Sequence, residues 1–134
     1  MIVVDTNLLV GLFIPGDKSR VAERVFSKDP HWAAPLLWKS ELRNVLAMGL
    51  RRKMLDVEEA CLVMEEAETL MREDEYDLPS SPILELANQS RCSAYDCEFV
   101  ALARQLAAPL VTWDRAILAA FPETAVSPEH FVRV

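Results

Sequence analysis

Glycine is scarce in this chain, with three residues in 134, and none stands in a G-x-x-x-x-G-K-S/T, G-x-G-x-x-G or G-x-S-x-G pattern. A glycine-rich cradle for nucleotide phosphates and a serine nucleophile elbow are thereby excluded. Cysteine is equally sparse: Cys61, Cys92 and Cys97 are odd in number and show no C-x-x-C spacing. They build neither a disulfide framework nor a zinc site, and read as buried thiols in a reducing compartment. The two histidines, His31 and His130, stand far apart near element ends, without ligand spacing, so each reads as structural. Long apolar runs are also missing, because charge interrupts them well short of the ~20 residues needed to cross a bilayer. The opening Met-Ile-Val-Val-Asp lacks the basic start and extended apolar stretch of a signal peptide, so a cytoplasmic protein without membrane association is expected.

Positive charge is in deficit. Against 21 Asp and Glu there are 14 Lys and Arg, a formal net charge of −7, which argues against non-specific nucleic-acid binding by the whole surface. A nucleic-acid substrate stays open, because bound metal ions reverse the potential where it matters. With 51% apolar residues and no repeat, linker or low-complexity stretch, the chain is expected to form one domain over 1–134 with a real core.

Ile2 to Val4 is a β-branched run that stops at Asp5-Thr6-Asn7 and resumes as the helical pattern Leu8, Leu9, Leu12, Phe13. Further helices are predicted around Val21–Phe26, from Leu36 to about Leu50, from Asp56 to Met71, from Ser81 to about Asn88, from Ser93 to Ala108 and from Asp114 to Phe121. Strands are predicted at His31–Ala34, weakly at Tyr76–Leu78, at Leu110–Thr112 and at Thr124–Val126. Arg51-Arg52-Lys53 read as cationic complement to a helix C-terminus. The Cys61, Leu62, Met64, Ala67, Leu70 and Met71 stripe reads as core. Alternating strands and helices imply a three-layer α/β/α sandwich around a mostly parallel sheet of about five strands. Ligands of such sheets bind beyond the carboxyl ends of the strands, where Asp5 and Asp114 both stand.

Four acids stand out: Asp5, Glu41, Asp96 and Asp114 occupy strand ends or apolar helix faces, with no accompanying basic pattern. Each has a simple structural explanation. Asp5 and Asp114 have the form of helix N-caps, and Ser93 with Asp96 has the S-x-x-D form of a capping box. Phe99 and Val100, at i+3 and i+4, nevertheless put Asp96 on the core-facing side. Glu41 is flanked by Leu37, Trp38 and Val45 on one helix face, whereas a solvated glutamate belongs beside Lys39 and Arg43. Four such placements together point to a shared cation, since an uncompensated buried carboxylate costs several kcal/mol, on the order of the effective penalty per buried ion. All the available ligands are oxygens, which selects Mg²⁺ or Mn²⁺ over zinc, copper or iron. Carboxylates holding one or two hard cations suit in-line displacement at a phosphodiester, where a further carboxylate orients the attacking water or takes its proton.

Val4-Asp5-Thr6-Asn7, Ser40-Glu41-Leu42, the segment from Ala94-Tyr95-Asp96 to Phe99-Val100-Ala101-Leu102-Ala103, and Leu110-Val111-Thr112-Trp113-Asp114-Arg115 resemble the PIN-domain ribonucleases, and most closely the VapC toxins of prokaryotic toxin–antitoxin pairs. The likeness covers essentially the whole chain, and its most specific part is the segment around Tyr95-Asp96. It implies a PIN-like fold and Mg²⁺- or Mn²⁺-dependent endonucleolytic cleavage of RNA. It also implies a cognate VapB-like antitoxin that blocks the site, and a homodimer. Its metal-binding acids correspond to Asp5, Glu41, Asp96 and Asp114, and its polar residue beside the site to Thr112, with Asn7 a further counterpart. Many relatives carry another acid two or three residues after the fourth; here Arg115, Ala116 and Ile117 follow. Within this resemblance Trp32, Trp38, Met48, Met64 and Met71 are candidates for an antitoxin groove, and Arg20, Lys39, Arg43, Arg91 and Arg115 for RNA contacts.

Two other classes compete. An aspartyl-phosphate phosphatase also places its nucleophile after the first strand, but its D-x-D pattern is Asp5-Thr6-Asn7 here and lacks the second acid. The other is a non-catalytic α/β binding module whose acids are only caps and surface charge.

Overall fold

Ile2, Val3 and Val4 are all buried although successive strand residues point to opposite faces of a sheet, so both faces of this strand are covered. The computed structural model describes residues 1–134. Its elements run β1 (Ile2–Val4), α1 (Thr6–Phe13), α2 (Ser19–Lys28), β2 (Trp32–Pro35), α3 (Leu37–Arg51), α4 (Val57–Met71) and β3 (Glu75–Tyr76). They continue with α5 (Ser80–Gln89), α6 (Ala94–Leu106), β4 (Leu110–Val111), α7 (Arg115–Ala120), β5 (Ala125–Val126) and α8 (Pro128–Arg133). The strand order is β3-β2-β1-β4-β5, and every neighbouring pair is parallel.

This order sets the position of the site. From β1 the chain moves through α1 and α2 to β2 and on to β3, then returns through α5 and α6 to β4 on the other side of β1. The connections therefore diverge between β1 and β4, which opens a crevice at their carboxyl ends. Val3 pairs with Leu110 and Val4 with Val111, so Asp5 and Thr112 leave the sheet at the same level.

Helices cover the sheet in two groups. α1 packs on α2, α3 and α4, while α6 lies across β1, β2 and β4 with α5 beside it. The core holds 28 buried residues, with Trp32, Trp38, Phe99, Leu8, Leu9 and Leu42 among its largest. No helix is long and apolar enough to cross a membrane.

Several expectations need correction. Trp32, Trp38 and Met71 are fully buried, so they are core rather than groove, while Met48 is exposed and Met64 partly buried. The α4 stripe is rotated: Ala60, Ala67 and Met71 face inward, whereas Leu62 and Cys61 are exposed. Of the three thiols, only Cys92 and Cys97 are buried. β3 comes one residue earlier than predicted and β4 stops at Val111, because the sheet at these positions sustains only two paired residues. α8 was not anticipated, although its signal is present: Ser127 Oγ accepts from His130 N at 3.2 Å, and Pro128 opens the helix.

Candidate active site

Asp5 follows β1 directly and caps α1, with Oδ1 accepting from Thr6 N at 2.8 Å. Its other oxygen, Oδ2, accepts from Thr112 Oγ1 at 2.6 Å and from Asn7 Nδ2 at 3.3 Å. Thr112 is completely buried beyond the end of β4, and its Oγ1 also accepts from Asp114 N at 2.9 Å. Asp114 caps α7 through Ile117 N at 2.9 Å. Glu41 reaches in from α3, where Oε1 accepts from Thr6 Oγ1 at 2.6 Å. Asp96 lies in the first turn of α6, whose N-cap Ser93 accepts from Asp96 N at 3.1 Å.

The caps proposed for Asp5 and Asp114 are real, yet each uses only one carboxylate oxygen. All four acids line one cleft of about 630 Å³, together with Asn7, Ser40, Asn44 and Tyr95. Leu37 and Val45 line it beside Glu41, whereas Trp38, Leu42 and Leu46 turn into the core. Two of the three apolar neighbours of Glu41, Leu37 and Val45, therefore form a cleft wall, which corrects the picture of a core-facing glutamate.

No basic residue lines this cleft, and none of the four acids forms an ion pair. Burial pushes the Asp5 carboxyl up to about 6; hydrogen bonds from Thr112 and Thr6 oppose that rise, and the charges of Glu41 and Asp114 add to it. Burial also raises Glu41, with the Asp96 charge adding, and raises Asp96, with the Asp114 charge adding. The repulsions close a ring: Asp5 with Glu41, Glu41 with Asp96, Asp96 with Asp114, and Asp114 with Asp5. Glu98 is a fifth acid near this ring, raised by burial and then by Glu41 and Asp77. Its position two residues after Asp96 carries no distinguishing pattern in the sequence.

The donor chemistry fits a hard divalent cation. Every polar group available is an oxygen donor or amide, and the negative charge is uncompensated. Asn7 Oδ1 is buried without a hydrogen-bond partner, while its Nδ2 is committed to Asp5 and Thr112. The acids surround the cleft, but no three of them are drawn close enough to form a finished cation cage. An ion bound here would need water to complete its coordination, as is usual for Mg²⁺.

The PIN domain profile matches residues 2–123. The chain belongs to the PIN-domain family. Ribonuclease VapC3 of Pyrobaculum aerophilum is 29% identical over 124 residues, spanning 90% of this chain and 95% of that protein. A Pyrobaculum aerophilum crystal structure superposes with a TM-score of 0.78 at 20% identity, covering 98% of this chain and 92% of its own. A toxin–antitoxin complex from Klebsiella pneumoniae has a TM-score of 0.72 at 18% identity, covering 96% and 98%. FitAcB from Neisseria gonorrhoeae has a TM-score of 0.75 at 17% identity, covering 97% and 99%.

Within this PIN fold, Asn7 stands where a phosphatase pattern has its second acid, and its amide is spent on Asp5 and Thr112. Among the cations considered for RNA, Lys39 leans toward Glu75 at 3.9 Å. Arg20, Arg43, Arg91 and Arg115 are exposed, and none lines the cleft.

Proposed function

We propose that this PIN-domain chain is a divalent-cation-dependent endoribonuclease and the toxin of a toxin–antitoxin pair. The observation that carries this reading is the ring of four mutually repelling carboxylates, drawn from four different elements into one cleft without a counter-cation. Asp5, Glu41, Asp96 and Asp114 would hold one or two Mg²⁺ or Mn²⁺ ions in the cleft that Asn7 also lines. When bound, the ion lowers the pKa of a water and offsets charge on the phosphodiester.

The residues of the chain do the positioning. Thr112 fixes one oxygen of Asp5 and Thr6 N the other, while the Thr6 hydroxyl fixes Glu41. Glu41 and Asp96 line the open cleft, and the one left free of the ion would orient the attacking water or take its proton. The likeness to a protein named as a ribonuclease and to a solved toxin–antitoxin complex supports RNA as substrate and an antitoxin protein as partner. A cytoplasmic homodimer is part of the same proposal.

The test is cleavage of total RNA with Mg²⁺ or Mn²⁺, with mapping of the new ends. Asp5→Asn and Asp96→Asn should each abolish cleavage while circular dichroism shows the fold retained. Full activity in both variants, or in excess chelator, would overturn the proposal.

A further inference from the structure

Beside the carboxylate cleft lies a second recess of about 300 Å³, and Asn7 and Val10 line both. It continues along the same face of α1 through Gly11 to Lys18 at the start of α2. Trp113, between Thr112 and Asp114, is fixed at this border. Its Nε1 donates to both oxygens of Glu129, at 3.0 and 2.9 Å. Its ring also lies so close to α1 that a Cβ at Gly11 would stand 3.3 Å from it, so glycine permits the contact.

Over the ring sits Lys18, with Nζ 4.4 Å from the centroid. Lys18 is exposed and forms no ion pair, either with Asp17 beside it in the recess or with Glu129 at the edge of the indole. An ammonium has three donors and no acceptor, so one held over an aromatic face with no carboxylate partner keeps donors for an incoming anion. An acidic cleft repels a polyanion except where its ions are bound, so a strand crossing it needs anchoring cations at the rim.

We propose that Lys18, held over Trp113, is a phosphate-binding subsite for the RNA strand, contacting a phosphodiester next to the one at the carboxylates. This rests on the ribonuclease reading above.

The test uses a fluorescent random-sequence single-stranded RNA and proteins carrying Asp96→Asn, so that the strand stays uncut. Affinity is measured across a salt series. Adding Lys18→Ala should weaken binding several-fold at low salt and flatten the slope of log affinity against log salt by about 0.7, the loss of one phosphate contact. Lys18→Arg should retain both. Arg72→Ala removes the same charge at the end of α4, where the chain enters the edge strand β3, and should change neither. Identical slopes with and without Lys18, or equal losses in Lys18→Ala and Arg72→Ala, would overturn the subsite. If the protein without substitutions fails to cleave total RNA with Mg²⁺ or Mn²⁺, the ribonuclease proposal itself falls. If RNA also fails to bind, the subsite falls with it.

Discussion

Thr112 donates its hydroxyl to Asp5 Oδ2 at 2.6 Å although 107 residues separate the two. Thr112 Oγ1 in turn accepts the N–H of Asp114 at 2.9 Å and stands 3.5 Å from Asn7 Nδ2. A hydroxyl has one proton and two acceptor positions, so these three contacts fix its direction. Thr112 thus ties the ends of β1 and β4 together where the chain connections diverge, and it aims the acid that follows β1.

Replacing the hydroxyl by a methyl group tests this. Thr112→Val keeps the shape but leaves the Asp114 N–H without its buried acceptor and Asp5 without its shortest bond, a loss of about 1–3 kcal/mol. Melting should show that loss. Mn²⁺ affinity measured by calorimetry should fall about ten- to hundredfold, as expected for a partner that orients a ligand. Thr112→Ser should restore both; unchanged Mn²⁺ affinity in Thr112→Val would remove the positioning role.

The metal-free protein should lose stability as pH rises from about 4 to 6. Burial, reinforced by Glu41 and Asp114, raises the folded Asp5 carboxyl from 3.8 to about 6. Below 3.8 both folded and unfolded states carry the proton. As pH rises the unfolded chain ionises first, so the stabilising proton is lost progressively and is gone above about 6, a change on the order of 3 kcal/mol. Glu41 and Asp96 act in the same direction. Melting curves in chelator should therefore shift down over this interval. Asp5→Asn should flatten the dependence, and superimposable pH profiles for the two proteins would contradict it.

Ser93 offers a more local test. Its Oγ caps α6 through Asp96 N, and an N-cap lost to alanine costs about 1 kcal/mol. Ser93→Ala should lower stability by that amount. It should also reduce RNA cleavage, because the first turn that carries Asp96 loosens, whereas Asp56→Ala at the N-cap of α4 should lower stability alone. Equal cleavage by the two variants would detach the α6 cap from the site.

What could be read from the sequence depended on how local the determining physics was. Asp5 and Asp114 were legible because a strand end followed by a helix start is a short-range pattern. Glu41 stood out because its helix face was wrong for a solvated acid, although that face proved to be a cleft wall. The hydrogen bonds from Thr6 to Glu41 and from Thr112 to Asp5 join residues 35 and 107 positions apart, which no local period encodes. β3 starts one residue and ends two residues before the expected span, and β4 ends one residue short of it, because two-residue strands have almost no alternation to detect. Trp32, Trp38 and Met71 belong to the core, and composition alone does not separate such an apolar interior from an apolar surface groove.

Divalent ions should stabilise the folded chain strongly if the ring of acids is what holds them. Each carboxylate in the ring is repelled by two others, so a bound cation relieves several unfavourable pairs at once. An ion at a hundred times its dissociation constant contributes about 2.7 kcal/mol when only the folded state binds it. The melting temperature should thus climb with the logarithm of Mn²⁺ concentration and return to its starting value in chelator. In a protein carrying both Asp5→Asn and Asp96→Asn, two of the four repelling charges are gone. That variant should melt higher than the parent in chelator at neutral pH, yet gain little from Mn²⁺, so the two curves should cross as the ion is added. Parallel curves would mean that these acids repel one another without holding a cation.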